Sequence, residues 1–287
     1  MEDGIGTAQG MQGRSDCWHM EIIRKPPRPA PFRFALFDFD GTVSLIREGW
    51  QQVMIPYFIE VLGAAPQGED EAAIEETVTG FVDRLTGKQT IFQCIRLDEE
   101  VQKRGGAPVA PGAYKAEYLR RLEEHIKGRA AALEKHADPE GYLVPGCREL
   151  FSILKERGYQ IYLASGTDEE DVLREASLLG IAGWFDGRIH GARDNQTSCS
   201  KELVIRDIIR ENHLTGRELL SFGDGFVEIE LVAGIGGYTV GVATDERRRK
   251  GVDRHKRARL LEAGADMIIP DFAEANALMD YLESGGE

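Results

Sequence analysis

Apolar positions change their rhythm twice along this chain. Phe34 to Phe37 is a short, wholly apolar run, the pattern of a strand buried on both faces. It stops at Asp38-Phe-Asp40-Gly41-Thr42. From about 44 to 144 apolar residues recur at helical spacing, over Trp50 to Leu62, Ile74 to Leu85, Ile91 to Val101 and Tyr114 to Leu133. Breakers separate these stretches at Gly63 to Gly68, at Thr86-Gly87 and from Gly105 to Gly112. No strand pattern interrupts the block. Beyond about 145 helical and strand patterns alternate. Helices are predicted over Arg148–Arg157, Glu169–Leu179, Lys201–Glu211, Glu228–Ala233 and Asp253–Ala263. Strands are predicted over Gln160–Ala164, Gly187–His190, Glu218–Phe222, Tyr238–Val242 and Met267–Ile269. Such alternation with short loops predicts an α/β fold, a parallel sheet covered on both faces. The first strand belongs to that sheet, so the core is 32–43 plus 145–287, with the helical block 44–144 inserted into it. No internal repeat is present.

Composition narrows the class without naming a function. Apolar residues make up 42% and charged residues 29%, as in ordinary globular proteins. No apolar stretch approaches the roughly 20 residues that span a bilayer, so no membrane contact is expected. Residues 1–31 form a Gly-, Pro- and charge-rich extension, expected to be flexible, with no signal-peptide core; Met20 is a candidate natural start. Cys17, Cys94, Cys147 and Cys199 are widely separated, which argues against a zinc site or disulfide framework and for a cytoplasmic, reducing compartment. A net charge of −14 speaks against nucleic acid as a partner. The basic cluster Arg247 to Arg259 is an exception, expected to be a solvated loop and helix face.

Polar residues that carry chemistry fall after or between strands, where open α/β sheets place their sites. Asp38 and Asp40 follow the first strand and are read as an unlike pair: a nucleophile with a separate acid/base, or two groups on one metal. Ser165-Gly166-Thr167 follows the next strand, Lys201 opens a helix, and Gly223-Asp224-Gly225-Phe-Val-Glu228 follows a third strand. Each alone is also an ordinary structural feature: a D-G turn, a helix cap, a surface lysine, a second turn.

Taken together and in this order, these residues resemble the haloacid dehalogenase-like superfamily, in its phosphotransferase majority. Leu143-Val-Pro-Gly-Cys147 is further similar to the phosphoglycolate phosphatase and β-phosphoglucomutase branch. The resemblance implies a Rossmann-like core, a helical cap, Mg2+ as cofactor and a small phosphorylated substrate. Asp38 is then the nucleophile and a metal ligand, attacking in line to give an aspartyl-phosphate. Asp40 protonates the leaving alkoxide and later activates water, its backbone carbonyl serving as a further ligand. Asp224 supplies hard oxygen to the metal, and Lys201 offsets the charge on Asp38 and the phosphoryl group. Ser165 and the N–H of Gly166 donate to phosphate oxygens at a helix start. Thr42 holds Asp40 or the nearby backbone. Glu228 departs from the more common Asp, which leaves it between direct ligation and orientation of its neighbours.

The resemblance leaves the leaving group open: sugar phosphate, phosphoglycolate and nucleotide all remain, as do a phosphomutase and a catalytically silent binding module on the same fold. Asp40 argues against a dehalogenase, since halide needs no proton, and Thr42 leans towards a phosphatase. A phosphonate hydrolase needs a Schiff-base lysine, for which Lys88 and Lys103 are available. Thr86-Gly87-Lys88-Gln89-Thr90 fails the P-loop pattern, but its place in the cap makes Lys88 a candidate contact to the organic half of a substrate. His19, His125, His136, His190, His213 and His255 show no ligand spacing.

Overall fold

The computed structural model describes residues 19–193 and 200–287. Strands β1 (Glu21–Ile22), β2 (Phe34–Phe37), β3 (Gln160–Asp168), β4 (Ile189–Ala192), β5 (Leu219–Gly223), β6 (Tyr238–Val242) and β7 (Met267–Ile269) form one sheet. Their spatial order is β1-β7-β6-β5-β2-β3-β4. Every pairing is parallel except that of β1 with β7. Helices α1 (Trp50–Gly63), α2 (Glu71–Leu85), α3 (Thr90–Lys103) and α4 (Pro111–Glu134) lie between β2 and β3 in sequence. The later helices are α5 (Cys147–Glu156), α6 (Glu169–Leu178), α7 (Ser200–Asn212), α8 (Phe226–Gly234), α9 (Arg254–Glu262) and α10 (Ala275–Ser284). Among the described residues, no helix is long and apolar enough to cross a membrane.

The apolar run of β2 is needed because both of its faces are covered. Successive side chains of a strand point to opposite faces. Phe34 and Leu36 join Val204, Ile205 and Ile208 of α7 in one cluster. Ala35 and Phe37 join Leu150, Phe151 and Leu154 of α5 in another. That second cluster continues without a break into the inserted helices through Met54, Phe58, Phe81 and Leu122. Phe37 sits at its centre, stacked on Phe222 at 4.7 Å and edge-on to Phe151 at 5.1 Å.

Three features depart from the sequence reading. The extension 1–31 is expected to be flexible, yet residues from Glu21 onward close an edge of the sheet. Ile23 and Arg24 donate their N–H groups to the Asp266 carbonyl at 2.9 Å, Arg24 Nη2 donates to the Asp266 carboxylate at 2.7 Å, and the Tyr238 hydroxyl donates to the Arg24 carbonyl at 2.6 Å. Two paired residues show no periodicity, so the strand is invisible in sequence, and residues 1–18 lie outside the described ones. Helix α10 buries Ala275, Leu278, Met279 and Leu282 at helical spacing. Strand β3 runs on to Asp168, past the expected end at Ala164, because it re-pairs with β4 at Asp168 and Ala192 after a register shift. Cys94 and Cys147 are buried free thiols; Cys17 and Cys199 lie outside the described residues.

Because Phe37 bridges sheet and helices, Phe37→Ala should lower the unfolding free energy by about 3–5 kcal/mol, read from the midpoint of urea denaturation.

Candidate active site

The carboxyl ends of β2, β5 and β3 lie side by side, and the polar residues that follow them meet in one cleft. Continuing the alternation of β2 by one step sends Asp38 towards α7. There Lys201, in the first turn, reaches Asp38 Oδ1 with its Nζ at 2.9 Å and Glu228 Oε2 at 2.7 Å. Lys201 and Glu228 are each 1% exposed and Asp38 5%. Burial works against the charged lysine, but Asp38 and Glu228 outweigh it and raise its pKa. Burial pushes the Asp38 carboxyl well above the usual range, against the pull of Lys201.

Oxygens of Asp38, Asp224 and Glu228 lie within 4.8 Å of one another. A buried set of hard oxygen donors of this kind fits a small divalent cation, which would also reverse the upward drift of Asp38. Glu228 is less free than the other two. Its Oε1 accepts the Gly225 N–H at 3.0 Å, the reciprocal half of a capping arrangement on α8, and its Oε2 takes Lys201. The side chain of Asp40 is not in this cluster.

Asp40 faces another set of partners. The Thr167 hydroxyl donates to its Oδ2 at 2.7 Å, with Ser165 Oγ at 3.5 Å, and Arg47 Nε lies 3.9 Å from Oδ1. Burial raises the Asp40 pKa, opposed by Arg47 and by the Thr167 hydrogen bond. The two aspartates thus have different surroundings: one among cations and carboxylates, one among hydroxyl donors beside a guanidinium. Gly41 makes this turn possible. Its φ is +76°, and a Cβ there would lie 2.3 Å from Asp224 Oδ2.

Two expected contacts are replaced. Thr42 is fully buried, does not line the cleft, and its hydroxyl has no hydrogen-bond partner among the described residues. The Gly41 turn carries it inward, and Thr167 supplies the hydroxyl to Asp40 instead. Ser165 and Gly166 line the cleft, but not at a helix start, since α6 begins only at Glu169. They sit where β3 shifts register, and Ser165 Oγ accepts the Thr167 N–H at 3.0 Å.

Residues that sequence reading passed over complete the site. Arg47 follows Val43-Ser-Leu-Ile46 and is held by Glu175 and Asp171 of α6. Its signal was a lone cation after the first motif, and that of Glu175 an acid on the buried stripe of α6 with Val172 and Ala176. Lys256 belongs to the cluster expected to be solvated. Instead its Nζ pairs with Asp224 at 2.7 Å and Glu246 at 2.5 Å, while the adjacent Arg257 turns to Glu21. Asp253 fixes this by capping α9, accepting the N–H groups of His255 and Lys256 at 2.8 and 2.9 Å, which turns Lys256 onto the cleft.

The loop between α2 and α3 seats on the cleft through glycines. A Cβ on Gly166 would lie 2.7 Å from the Lys88 carbonyl, and one on Gly225 3.3 Å from Gly87 Cα. Lys88 therefore lines the cleft, its Nζ 5.9 Å from the Phe226 ring centroid. The cleft holds a cavity of about 80 Å³ that opens to solvent on one side. A larger one of about 490 Å³ lies outside it between α4 and α6, and Arg47 walls both.

A family model described as haloacid dehalogenase-like hydrolase matches residues 32–236. The chain belongs to this family. Solved structures share the fold of this haloacid dehalogenase-like hydrolase. A predicted phosphoglycolate phosphatase from Haemophilus somnus 129PT has a TM-score of 0.58 at 16% identity, over 87% of this chain and 98% of that one. A β-phosphoglucomutase from Clostridium difficile has a TM-score of 0.53 at 15% identity, over 87% and 99%. A mutant of CbbY from Rhodobacter sphaeroides, in complex with xylulose-(1,5)bisphosphate, has a TM-score of 0.53 at 20% identity, over 85% and 96%. No curated protein matches the chain.

Gly166→Ala forces the Lys88 loop off its seat. It should lower kcat/KM for any turned-over phosphate ester by about tenfold or more, given how steeply rate depends on placement, with the melting temperature little changed.

Proposed function

We propose that this hydrolase is a Mg2+-dependent phosphatase acting on a small phosphorylated metabolite through an aspartyl-phosphate. One observation carries the reading: the buried Lys201 bridges Asp38 to Glu228 beside Asp224, with Asp40 held separately by Thr167 at the same strand ends. Asp38, Asp224 and Glu228 are the residues to hold Mg2+, with the Asp40 carbonyl as a further ligand. When bound, the cation screens the charge of a phosphate dianion and polarises its oxygens.

The chain's own residues supply the remaining chemistry. Asp38 presents a carboxylate oxygen to phosphorus, and its repulsion from the phosphate dianion is reduced by Lys201. Ser165 and the Gly166 N–H hold the non-transferring oxygens. As the P–O bond to the leaving group breaks, Asp40 gives its proton to the departing alkoxide. It then takes a proton from the water that attacks the aspartyl-phosphate, releasing inorganic phosphate and restoring Asp38. Thr167 fixes the Asp40 carboxyl through Oδ2, which holds it in place for both proton transfers. The seated Lys88 loop limits water during the first transfer.

Hydrolysis of p-nitrophenyl phosphate should require Mg2+, vanish with EDTA and return when Mg2+ is added. Asp38→Asn should abolish it; a rate left intact by that substitution overturns the reading. Thr167→Ala should lower kcat on alkyl phosphates by about tenfold, part of the 10²–10⁴ that acid–base catalysis contributes, and Thr167→Ser should restore most of it.

A further inference from the structure

Resting on the metal assignment of the phosphatase reading, we propose that Lys256 is a positioning residue: steered by Glu246, it aims Asp224 at the divalent cation. The three carboxylates offered to that cation are held in unlike ways. Asp38 Oδ1 accepts the Phe39 N–H at 2.7 Å and meets Lys201 at 2.9 Å. Glu228 accepts the Gly225 N–H at 3.0 Å and meets Lys201 at 2.7 Å. Asp224 has no such backbone donor. Among the described residues its one partner is Lys256, whose Nζ lies 2.7 Å from Oδ2. Nothing else polar fixes the rotation of this carboxylate, and a ligand that must be ordered on binding binds less tightly.

The ammonium is itself fixed from two directions. Asp253 caps α9 by accepting the N–H groups of His255 and Lys256, which sets the orientation of the first turn. Three successive side chains then go to three places. His255 Nε2 lies 3.4 Å from Asp83 of α2, Lys256 meets Asp224, and Arg257 turns to Glu21 of β1. On the other side Glu246 takes the same Nζ at 2.5 Å. Glu246 belongs to the loop between β6 and α9, which closes on itself. Asp245 donates its N–H to the Gly251 carbonyl at 3.1 Å, and Asp253 donates to that of Ala243 at 2.7 Å. Gly41 leaves room for both acids, since a Cβ there would lie 2.3 Å from Asp224 Oδ2 and 3.0 Å from Glu246 Oε1. Glu246 also offsets the charge of Lys256, so the pair is neutral as a whole and acts on Asp224 by a hydrogen bond without repelling a metal. Neither residue walls the cavity that Asp38, Asp40 and Asp224 line. Lys256 therefore reaches the site only through Asp224.

Calorimetric titration of Mg2+ into the metal-free protein tests this without turnover. Lys256→Met should raise the Mg2+ dissociation constant by about tenfold or more, the size expected when a partner of a metal ligand is lost. Glu246→Gln should raise it as well, because the ammonium then stands uncompensated beside the cation. A constant that is unchanged or tighter in either variant overturns the proposal. A merely structural role for Lys256 would lower the stoichiometry of binding as folded protein is lost and leave the constant unchanged, which also overturns it. Should Lys256→Met fail to fold, the double variant Lys256→Met/Glu246→Gln removes the pair together and should show the same weakening. Wild-type affinity in that double variant overturns the proposal too. Mg2+ binding that Asp38→Asn weakens and Lys256→Met does not removes only the role of Lys256. No Mg2+ binding by the wild-type protein removes the metal of the phosphatase reading and this inference with it.

Discussion

Carboxylates gathered out of water need cations, and this constraint organises the rest of the site. Asp38, Asp224 and Glu228 are drawn together at the carboxyl ends of β2 and β5, with Glu246 beyond β6, and buried carboxylates are costly unless paired. Two lysines answer them in parallel: the buried Lys201 between Asp38 and Glu228, and the half-buried Lys256 between Asp224 and Glu246. Both come from the first turn of a helix, α7 and α9, on opposite flanks of the cleft. Removing one partner from such a pair leaves the other charge buried and uncompensated, which costs more than the pair contributes. The fold must therefore hold α7, α8 and α9 in register against the sheet, and the apolar clusters on its faces do so.

The same constraint explains the glycines. Packing several carboxylates and two residues of the loop between α2 and α3 into one cleft leaves no room for a Cβ at the points of closest approach. Gly41 passes under Asp224, and Gly166 passes under the Lys88 carbonyl. These are positions of space and backbone sign rather than of general flexibility.

Much of the fold was legible in the sequence because its cause is local. A strand buried on both faces must be apolar throughout, so β2, β6 and β7 stand out, and amphipathic helices α1 to α4 carry their own period. Strand β1 was not legible, because two residues on a sheet edge carry no period and are fixed by Asp266, more than 240 positions away. Within the site, residues set by the chain direction of a strand were readable: Asp38 and Asp40 after β2, Asp224 after β5. Residues set by tertiary approach were not. Lys256 looks like its basic neighbours in sequence, and only the Asp253 cap turns it inward. Thr42 stands in the motif, but the Gly41 turn buries it, and the hydroxyl on Asp40 comes from a strand more than 120 residues later.

The Lys88 loop meets the core at the mouth of the cleft by packing alone. Gly87 meets Gly225, and the Lys88 backbone meets Gly166, by close van der Waals approach. Among the described residues, Lys88 has no ion pair that must break for the loop to lift. The firmer ties lie further out. Lys115 of α4 pairs with Asp168 at 2.6 Å, and Arg47 pairs with α6. Contacts to the helical segment are thus short-ranged and unpaired at the mouth of the cleft, and charged at its far side. Arg47 belongs to the far side. Glu175 and Asp171 of α6 hold it there, 3.9 Å from Asp40.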